Sequence, residues 1–394
     1  FFLIIYILYL QKDEIFFSFR ETNINKLIIS IIASFVFIGI YSGSSFLDSY
    51  TYKSSSYIWV LGFFFLSYGI FEKYKFNKYY VNFYIPVLIY IYFVAIYDLP
   101  YPVQEFILSI SDKYEPHKGS DIVIMFVAVF FIFNRINQNK RIVLEIFILF
   151  SCLFLPLLLY KSRAAFIALV IYILLEVFNL RKNFKSNAIR NLGLVVVMVL
   201  ITLQSVFLVT KSGVIKLSKA EEQITYVTQY RVPERKPTEF VNYLYYKNNR
   251  FYSTDVNINW RLQIWQDVRF DIGNQNLYFF GYGYKEKIPA MAALDFEGNS
   301  VRSGLDGLNE NVHNYFVNLY ARGGFTHLLL FSILFYAVSR KHIRETGGYS
   351  SLVILLPLMF TSFFDASMEN SHYPLIFYFI LGMIFHEKRL FIKN

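Results

Sequence analysis

Three side chains in this sequence could together bind an anion and move a proton: Arg163, Arg261 and His313. An arginine stays charged at physiological pH, and its planar donors match phosphate oxygens in pairs. A histidine with a near-neutral pKa can accept a proton from an attacking hydroxyl group. Each residue also has a structural alternative: Arg163 reaching the lipid headgroups, Arg261 anchoring a helix at the membrane surface, and His313 hydrogen-bonding at a helix start.

The composition indicates a polytopic, all-α membrane protein. Of the 394 residues, 56% are hydrophobic and 17% are charged, whereas a soluble domain is about a quarter charged. The apolar residues come in blocks, such as residues 142–160 and 192–209, close to the ~20 residues that cross a bilayer core. The single cysteine, Cys152, excludes an intrachain disulfide bond.

About eleven transmembrane helices are predicted from these blocks. They lie near residues 1–10, 27–45, 57–71, 80–97, 121–135, 142–160, 163–179, 191–210, 314–338, 349–364 and 373–386. The chain opens on Phe1, inside an apolar run and without a methionine. We therefore expect a missing N-terminal stretch and a twelfth helix in the full protein.

The gaps between the predicted helices alternate in charge. Basic gaps, which we place in the cytoplasm, lie at residues 11–26, 72–79, 136–141, 180–190, 339–348 and 387–394. The other gaps lie at residues 46–56, 98–120, 161–162, 211–313 and 365–372. This placement explains the net charge of +10 through membrane topology, so no nucleic-acid partner is predicted.

This topology predicts three regions: a transmembrane bundle over 1–210, a large extracytoplasmic loop over 211–313, and C-terminal helices with a basic tail over 314–394. In the loop, NINWRLQIWQDVRFDIG predicts an amphipathic helix that Asn259 could cap, with arginines and tryptophans suited to a membrane interface. Gly281 and Gly283 predict a tight turn, without the context of a dinucleotide site. Weaker site candidates are His327, Asp365, Glu369 and His372.

Three motifs in order resemble the O-antigen ligase and polymerase-related membrane proteins. KSRAAF at residues 161–166 is similar to that family's Ser-Arg-Gly/Ala-Ala element, and NWRLQIWQDV followed by FFGYGY to its Arg-x-x-x-Trp and Gly-x-Gly elements. VHNYFVNLYARGG, from residue 312, resembles its His-Asn-x-Tyr element. Arg322 departs from the family, which often has a glutamate shortly before the glycine.

The resemblance implies a helical fold of the lipid-donor glycosyltransferase kind and a glycan donor carried on undecaprenyl diphosphate. It implies that Arg163 and Arg261 hold the diphosphate and that His313 activates or positions the acceptor hydroxyl. The reaction would invert the anomeric carbon and need no metal or other cofactor. Residues expected to position the acceptor or the loop are Asn314, Tyr315, Trp265, Gly281 and Gly283.

A ligase that transfers the glycan to lipid A–core is the favoured function, at the periplasmic face of the bacterial inner membrane. A polymerase acting on a growing glycan would use the same donor and stays open as an alternative. A polysaccharide or lipid transporter is a more distant alternative, because the predicted spans lack charged residues at their centres.

Overall fold

The computed structural model describes residues 23–67, 81–110, 118–137, 139–180, 192–210, 244–292, 310–370 and 372–391. These residues are mainly helical. The longer helices are α1 (Asn23–Tyr41), α3 (Ser56–Ser67), α4 (Val81–Tyr97), α5 (Tyr101–Ile110), α6 (Gly119–Ile136), α7 (Lys140–Lys161), α8 (Arg163–Leu180), α9 (Leu192–Thr210), α10 (Val256–Asn274), α12 (Tyr315–Thr346), α13 (Ser350–Phe364) and α14 (His372–Phe391). The shorter elements are α2 (Ser49–Ser54), α11 (Pro289–Ala292), a 3-10 turn at Ser367–Glu369, and strands β1 (Leu244–Lys247) and β2 (Arg250–Ser253).

Within the described residues, six helices are long and apolar enough to cross a membrane: α1, α6, α7, α8, α9 and α12. Helices α3, α4 and α13 contain shorter apolar stretches. The predicted helical, multi-pass membrane architecture is therefore confirmed. The total of about eleven helices stays a prediction, and the predicted span 1–10 lies outside the described residues.

Helix α12 is interrupted near its start. Gly324 has φ 60° and ψ −159°, which no α-helical residue adopts. A short helical segment therefore precedes the break and a long one follows it. The span predicted near residues 314–338 lies within this helix, which is a candidate membrane span from Tyr315 to Thr346.

Small residues let the helices approach closely, which matters because burial of apolar surface does not drive helix association within lipid. A Cβ atom on Gly119 would lie 2.8 Å from the Cβ atoms of Ser162 and Ala165. The first turn of α6 therefore contacts the first turn of α8, where Arg163 lies. On α14, a Cβ atom on Gly382 would lie 2.1 Å from the carbonyl oxygen of Phe64.

The described part of the long loop has its own apolar core beneath α10. Ile264, Val268 and Ile272 are fully buried on one stripe of α10 and pack with Met291 and Val312. The stripe is thus covered by protein. The N-cap of α10 is Asp255, whose side chain accepts from the backbone N–H of Ile258 at 3.1 Å.

The prediction that Asn259 caps this helix is therefore wrong. Asn259 lies one turn inside α10, and its Oδ1 accepts from the backbone N–H of Ser253 at 3.1 Å. It ties the helix to the end of strand β2, so the hairpin and α10 form one unit.

The gaps predicted to lie outside the cytoplasm meet at one end of the helical bundle, called the site end below. Ser120 donates to Asp365 at 2.7 Å, which joins the start of α6 to the end of α13. Ser54 donates to the carbonyl oxygen of Tyr284 at 3.1 Å, which joins α2 to the long loop. Segments far apart in sequence therefore share one polar surface.

Candidate functional site

Arg163 lies where α7 turns into α8, at the site end. Its Nη1 is 3.4 Å from Oδ2 of Asp255, and its side chain is 77% exposed. Asp255 is the N-cap of α10, so one carboxylate fixes the helix start and attracts the arginine. An exposed guanidinium with one long ion pair keeps most of its donors available for an anion.

Arg261 lies on α10, a turn and a half after Asp255. Its Nη1 donates to the backbone carbonyl of Phe364, the last residue of α13. Burial lowers the pKa of Arg261, while the charges of Asp365 and Asp255 counter that effect. Arginine remains protonated despite such a shift, so α10 brings a partly desolvated cation to the helix ends.

His313 occupies a strained loop position just before α12. Its φ of 53° is in the left-handed region, which costs a residue with a Cβ atom about 1–3 kcal/mol. The edge of its ring meets the Trp260 ring, with centroids 5.2 Å apart. Its Nδ1 is shielded from solvent and has no hydrogen-bond partner among the described residues.

The pKa of His313 is lowered from 6.5 to about 4. Burial is the main cause, and the positive charges of Arg261 and Lys118 add to it, while Asp365 opposes it. The imidazole is therefore neutral at physiological pH and can accept a proton.

The structure brings the three predicted residues into one group with alternating charge. Asp255 stands between the two arginines, since it contacts Arg163 and acts electrostatically on Arg261. Asp365 acts on both Arg261 and His313. These five residues, Arg163, Asp255, Arg261, His313 and Asp365, are called the site-end cluster.

Asp365 and Lys118 contribute more to this site than their sequence context indicated. Asp365 was only a weaker site candidate in the sequence, because no recognisable motif surrounds it. Lys118 was not predicted, since a lysine at a helix start beside the membrane is ordinary. Only the packing of α6 against α8 brings it near His313.

Trp265 and Asn314 hold the chain on either side of His313. The indole Nε1–H of Trp265 donates to the carbonyl of Val312 at 2.7 Å. The Asn314 side chain caps α12 by accepting from the N–H groups of Phe316 and Val317 at 2.9 and 3.1 Å. Both residues thus contact the segment that carries His313. Their role in positioning the loop or the acceptor stays a prediction.

Tyr315 points away from the cluster. It is fully buried, and its hydroxyl group lies 3.3 Å from that of Tyr378 on α14. In this structure it packs α12 into the bundle and does not line the cluster, so any effect on an acceptor would be indirect.

Gly281 and Gly283 dock the loop onto the break in α12. The N–H of Tyr282 donates to the carbonyl of Ala321 at 2.7 Å, and the N–H of Gly283 to that of Arg322 at 3.0 Å. Gly281 has φ 60°, and a Cβ atom there would lie 2.3 Å from the Ala321 carbonyl oxygen. Only glycine fits this close contact between two backbones.

Arg322 resembles the other arginines in type but is buried. It donates to the carbonyl of Gly283 at 3.2 Å and to the hydroxyl group of Tyr50 at 2.8 Å. These bonds explain why a cation is accommodated where the family often has an acid. His327 is also buried, between Tyr284 at 2.7 Å and Ser34 at 3.0 Å.

His372 pairs with Asp121 at 3.0 Å, beside the cluster. Among the residues that the structure describes, no group of three or more histidine, cysteine, aspartate or glutamate side chains could hold a metal ion. The site-end cluster itself presents two guanidinium groups, a neutral imidazole and two carboxylates.

Fold and site together define a multi-pass membrane protein with a charged, histidine-containing site at one end of its helices. Residues 146–332 match the family model described as O-antigen ligase. The matched part of the chain includes Arg163, Arg261 and His313, and the match confirms the predicted resemblance to the O-antigen ligase-related family. No curated protein matched the sequence.

Proposed function

We propose that this protein is a membrane glycosyltransferase of the O-antigen ligase type. It would transfer a glycan from undecaprenyl diphosphate to a sugar of lipid A–core during surface-polysaccharide synthesis. The observation that carries the proposal is the convergence of Arg163, Arg261 and His313 from three separate segments, all inside the region that matches the family.

Arg163 and Arg261 would bind the diphosphate of the donor and stabilise it as it leaves. Arg163 is exposed enough to receive it, and Arg261 is partly buried, where a charge acts more strongly. Negative charge develops on the diphosphate as the bond to the anomeric carbon breaks. Fixed donors aimed at developing charge are a major source of catalysis.

His313 would accept the proton of the acceptor hydroxyl group. The hydroxyl oxygen forms the new bond to the anomeric carbon, the diphosphate leaves with the electron pair of the old bond, and the proton goes to the imidazole. A single displacement of this kind inverts the anomeric configuration. Two arginines supply the positive charge, so the mechanism uses no metal ion.

Donor binding would also make His313 a better base. Arg261 and Lys118 help to lower its pKa to about 4. A bound diphosphate would offset these positive charges and raise the pKa of His313, although burial, the larger cause, would remain. Proton acceptance would thereby become more favourable once the donor has arrived.

The proposed arrangement in the envelope follows the predicted regions. Helices of residues 1–210 and 314–394 would span the bacterial inner membrane, and the loop 211–313 would cover its periplasmic face. There the lipid-linked donor and the sugar acceptor can meet at the membrane boundary.

The test is a surface-glycan gel of a deletion strain, complemented with wild type and with His313→Ala. A ligase predicts that glycan disappears from lipid A–core while undecaprenyl-linked polymer accumulates, and that only wild type restores it. Core carrying a single repeat would identify a polymerase using the same donor. An unchanged ladder would count against both, and loss of membrane transport would favour the transporter alternative.

A further inference from the structure

The loop that carries His313 folds around a carboxyl group that the mechanism above does not use. The 3-10 turn that carries Glu369 packs against α12, which follows His313 directly. The backbone N–H groups of Val312 and Asn314, on either side of His313, favour the charged form of the Glu369 carboxyl group. Successive N–H groups around a left-handed residue form a concave anion site. In this protein the carboxyl group of Glu369, from the 3-10 turn between α13 and α14, lies beside these N–H groups.

Glu369 is itself held firmly. Its N–H donates to the carbonyl of Ala366 at 3.0 Å, and its carbonyl accepts from Ser56 on α3 at 3.3 Å. Its Oε1 is shielded from solvent and has no hydrogen-bond partner among the described residues. The backbone of Glu369 is thus tied to α3, and its carboxyl group is buried.

The surrounding charges oppose one another at this carboxyl group. Burial raises the pKa of Glu369 to about 8, while Arg322 and the two N–H groups favour the charged form and Asp365 disfavours it. A buried acid that is costly to ionise therefore lies near His313, the one left-handed histidine among the described residues.

We propose that Glu369 is a positioning residue, which holds His313 in its left-handed conformation so that the imidazole faces Arg261 and the acceptor. This inference rests on the proposed function. Trp265 also holds this segment, by donating to the carbonyl of Val312. Without the carboxyl group, the left-handed turn loses the contacts that compensate its strain.

The experiment compares Glu369→Ala, Glu369→Gln and Glu310→Gln in the full-length protein in nanodiscs. Glu310 is the matched control, because it lies three residues before His313 but pairs with Lys53 at 2.6 Å. Amide hydrogen exchange is measured over the peptide 310–318. Glycan transfer is measured in complemented cells. Donor binding is measured on the protein in nanodiscs, with undecaprenyl diphosphate as the probe.

Glu369→Ala is expected to speed amide exchange in this peptide by about tenfold and to slow glycan transfer by ~10–10²-fold. Undecaprenyl diphosphate binding should stay within about twofold, since the arginines are untouched. Glu369→Gln keeps an acceptor oxygen and should fall between alanine and wild type. Glu310→Gln should behave as wild type.

Unchanged exchange in both Glu369 variants would overturn the proposal, whatever the transfer rate. Faster exchange with wild-type transfer would overturn it too. If Glu369→Ala does not fold, the glutamine variant decides by the same two measurements. Arg261→Ala, run in parallel, tests the proposed function separately, because it removes a donor to the leaving diphosphate and leaves Glu369 in place.

Discussion

The two ends of the helical bundle both gather charged residues, but they use them differently. At the end opposite the site, Arg135 lies 2.6 Å from one carboxylate oxygen of Glu387, and His342 lies 2.8 Å from the other. Arg135 also donates to Ser350 at 2.8 Å. These four residues, called the opposite-end cluster, join α6, α12, α13 and α14 in a largely buried network.

The site-end cluster is more open and more strained. Arg163 is mostly exposed with one long ion pair, and His313 has a left-handed backbone. A shielded ring nitrogen without a hydrogen-bond partner among the described residues occurs at both ends, on His313 and on His342. The exposed arginine and the strained backbone therefore distinguish the site end, and backbone strain of this kind is concentrated at functional sites. The comparison indicates that one end holds the helices together and that the other is prepared for a ligand.

The largest effect is expected at the opposite end. Glu387→Ala leaves Arg135 and His342 without their acid, and breaking a buried pair costs about 3–5 kcal/mol of unfolding free energy. Thermal unfolding in nanodiscs measures the loss, while transfer per folded molecule at low temperature should be unchanged. As a control, Glu345→Ala removes only an i,i+4 pair with Lys341 and should cost at most ~1 kcal/mol. Equal losses of unfolding free energy in both variants would show that the opposite-end cluster does not hold the helices together.

Arg261→Ala should show the reverse pattern. Losing one donor aimed at the leaving diphosphate is expected to slow transfer by about 10²–10³-fold, or ~2.7–4 kcal/mol, with little change in thermal stability. Arg269→Ala, at an exposed position on the same helix, is the matched control and should retain activity. Arg261→Lys should restore little transfer activity, because a lysine ammonium cannot make the paired hydrogen bonds to phosphate oxygens that a guanidinium makes. Near-normal transfer by a folded Arg261→Ala protein would contradict the proposed role.

A third effect is confined to acid pH. The pKa of His313 is about 4 in the folded protein and near 6.5 in the unfolded chain, so the unfolded chain binds more protons between these values. Stability is therefore expected to fall as the pH drops from 6.5 towards 4. His313→Gln removes the titrating group and should make the fall shallower, as measured by thermal unfolding across this range. Parallel curves for the two proteins would show that His313 is not buried in its neutral form.

The smallest effect is expected for the cap of α12. Asn314→Ala removes the acceptor of two backbone N–H groups and should cost about 1 kcal/mol of stability. Asn314→Ser keeps an acceptor and should recover most of it. Unfolding curves of the two variants compare them directly, and an alanine variant as stable as wild type would show that the cap is dispensable.

Local sequence predicted some of these features well and others poorly. The apolar blocks located most of the described helices, because membrane helices need long unbroken apolar runs. They did not reveal the break at Gly324, because glycine is common in membrane helices. They also did not identify Asp255 as the cap of α10, since several polar residues in that stretch can cap a helix and the contact with the β-hairpin decides between them.

The sequence alone determined that the protein is helical and membrane-spanning, and which family its motifs resemble, because composition and motif order are properties of the chain. Only the tertiary structure distinguished Arg322, which is buried against Gly283 and Tyr50, from Arg163 and Arg261 at the site. It also placed Asp365 and Glu369 beside His313. The physical reason is that a charge acts through its distances and its burial, and neither is encoded in any local stretch of sequence.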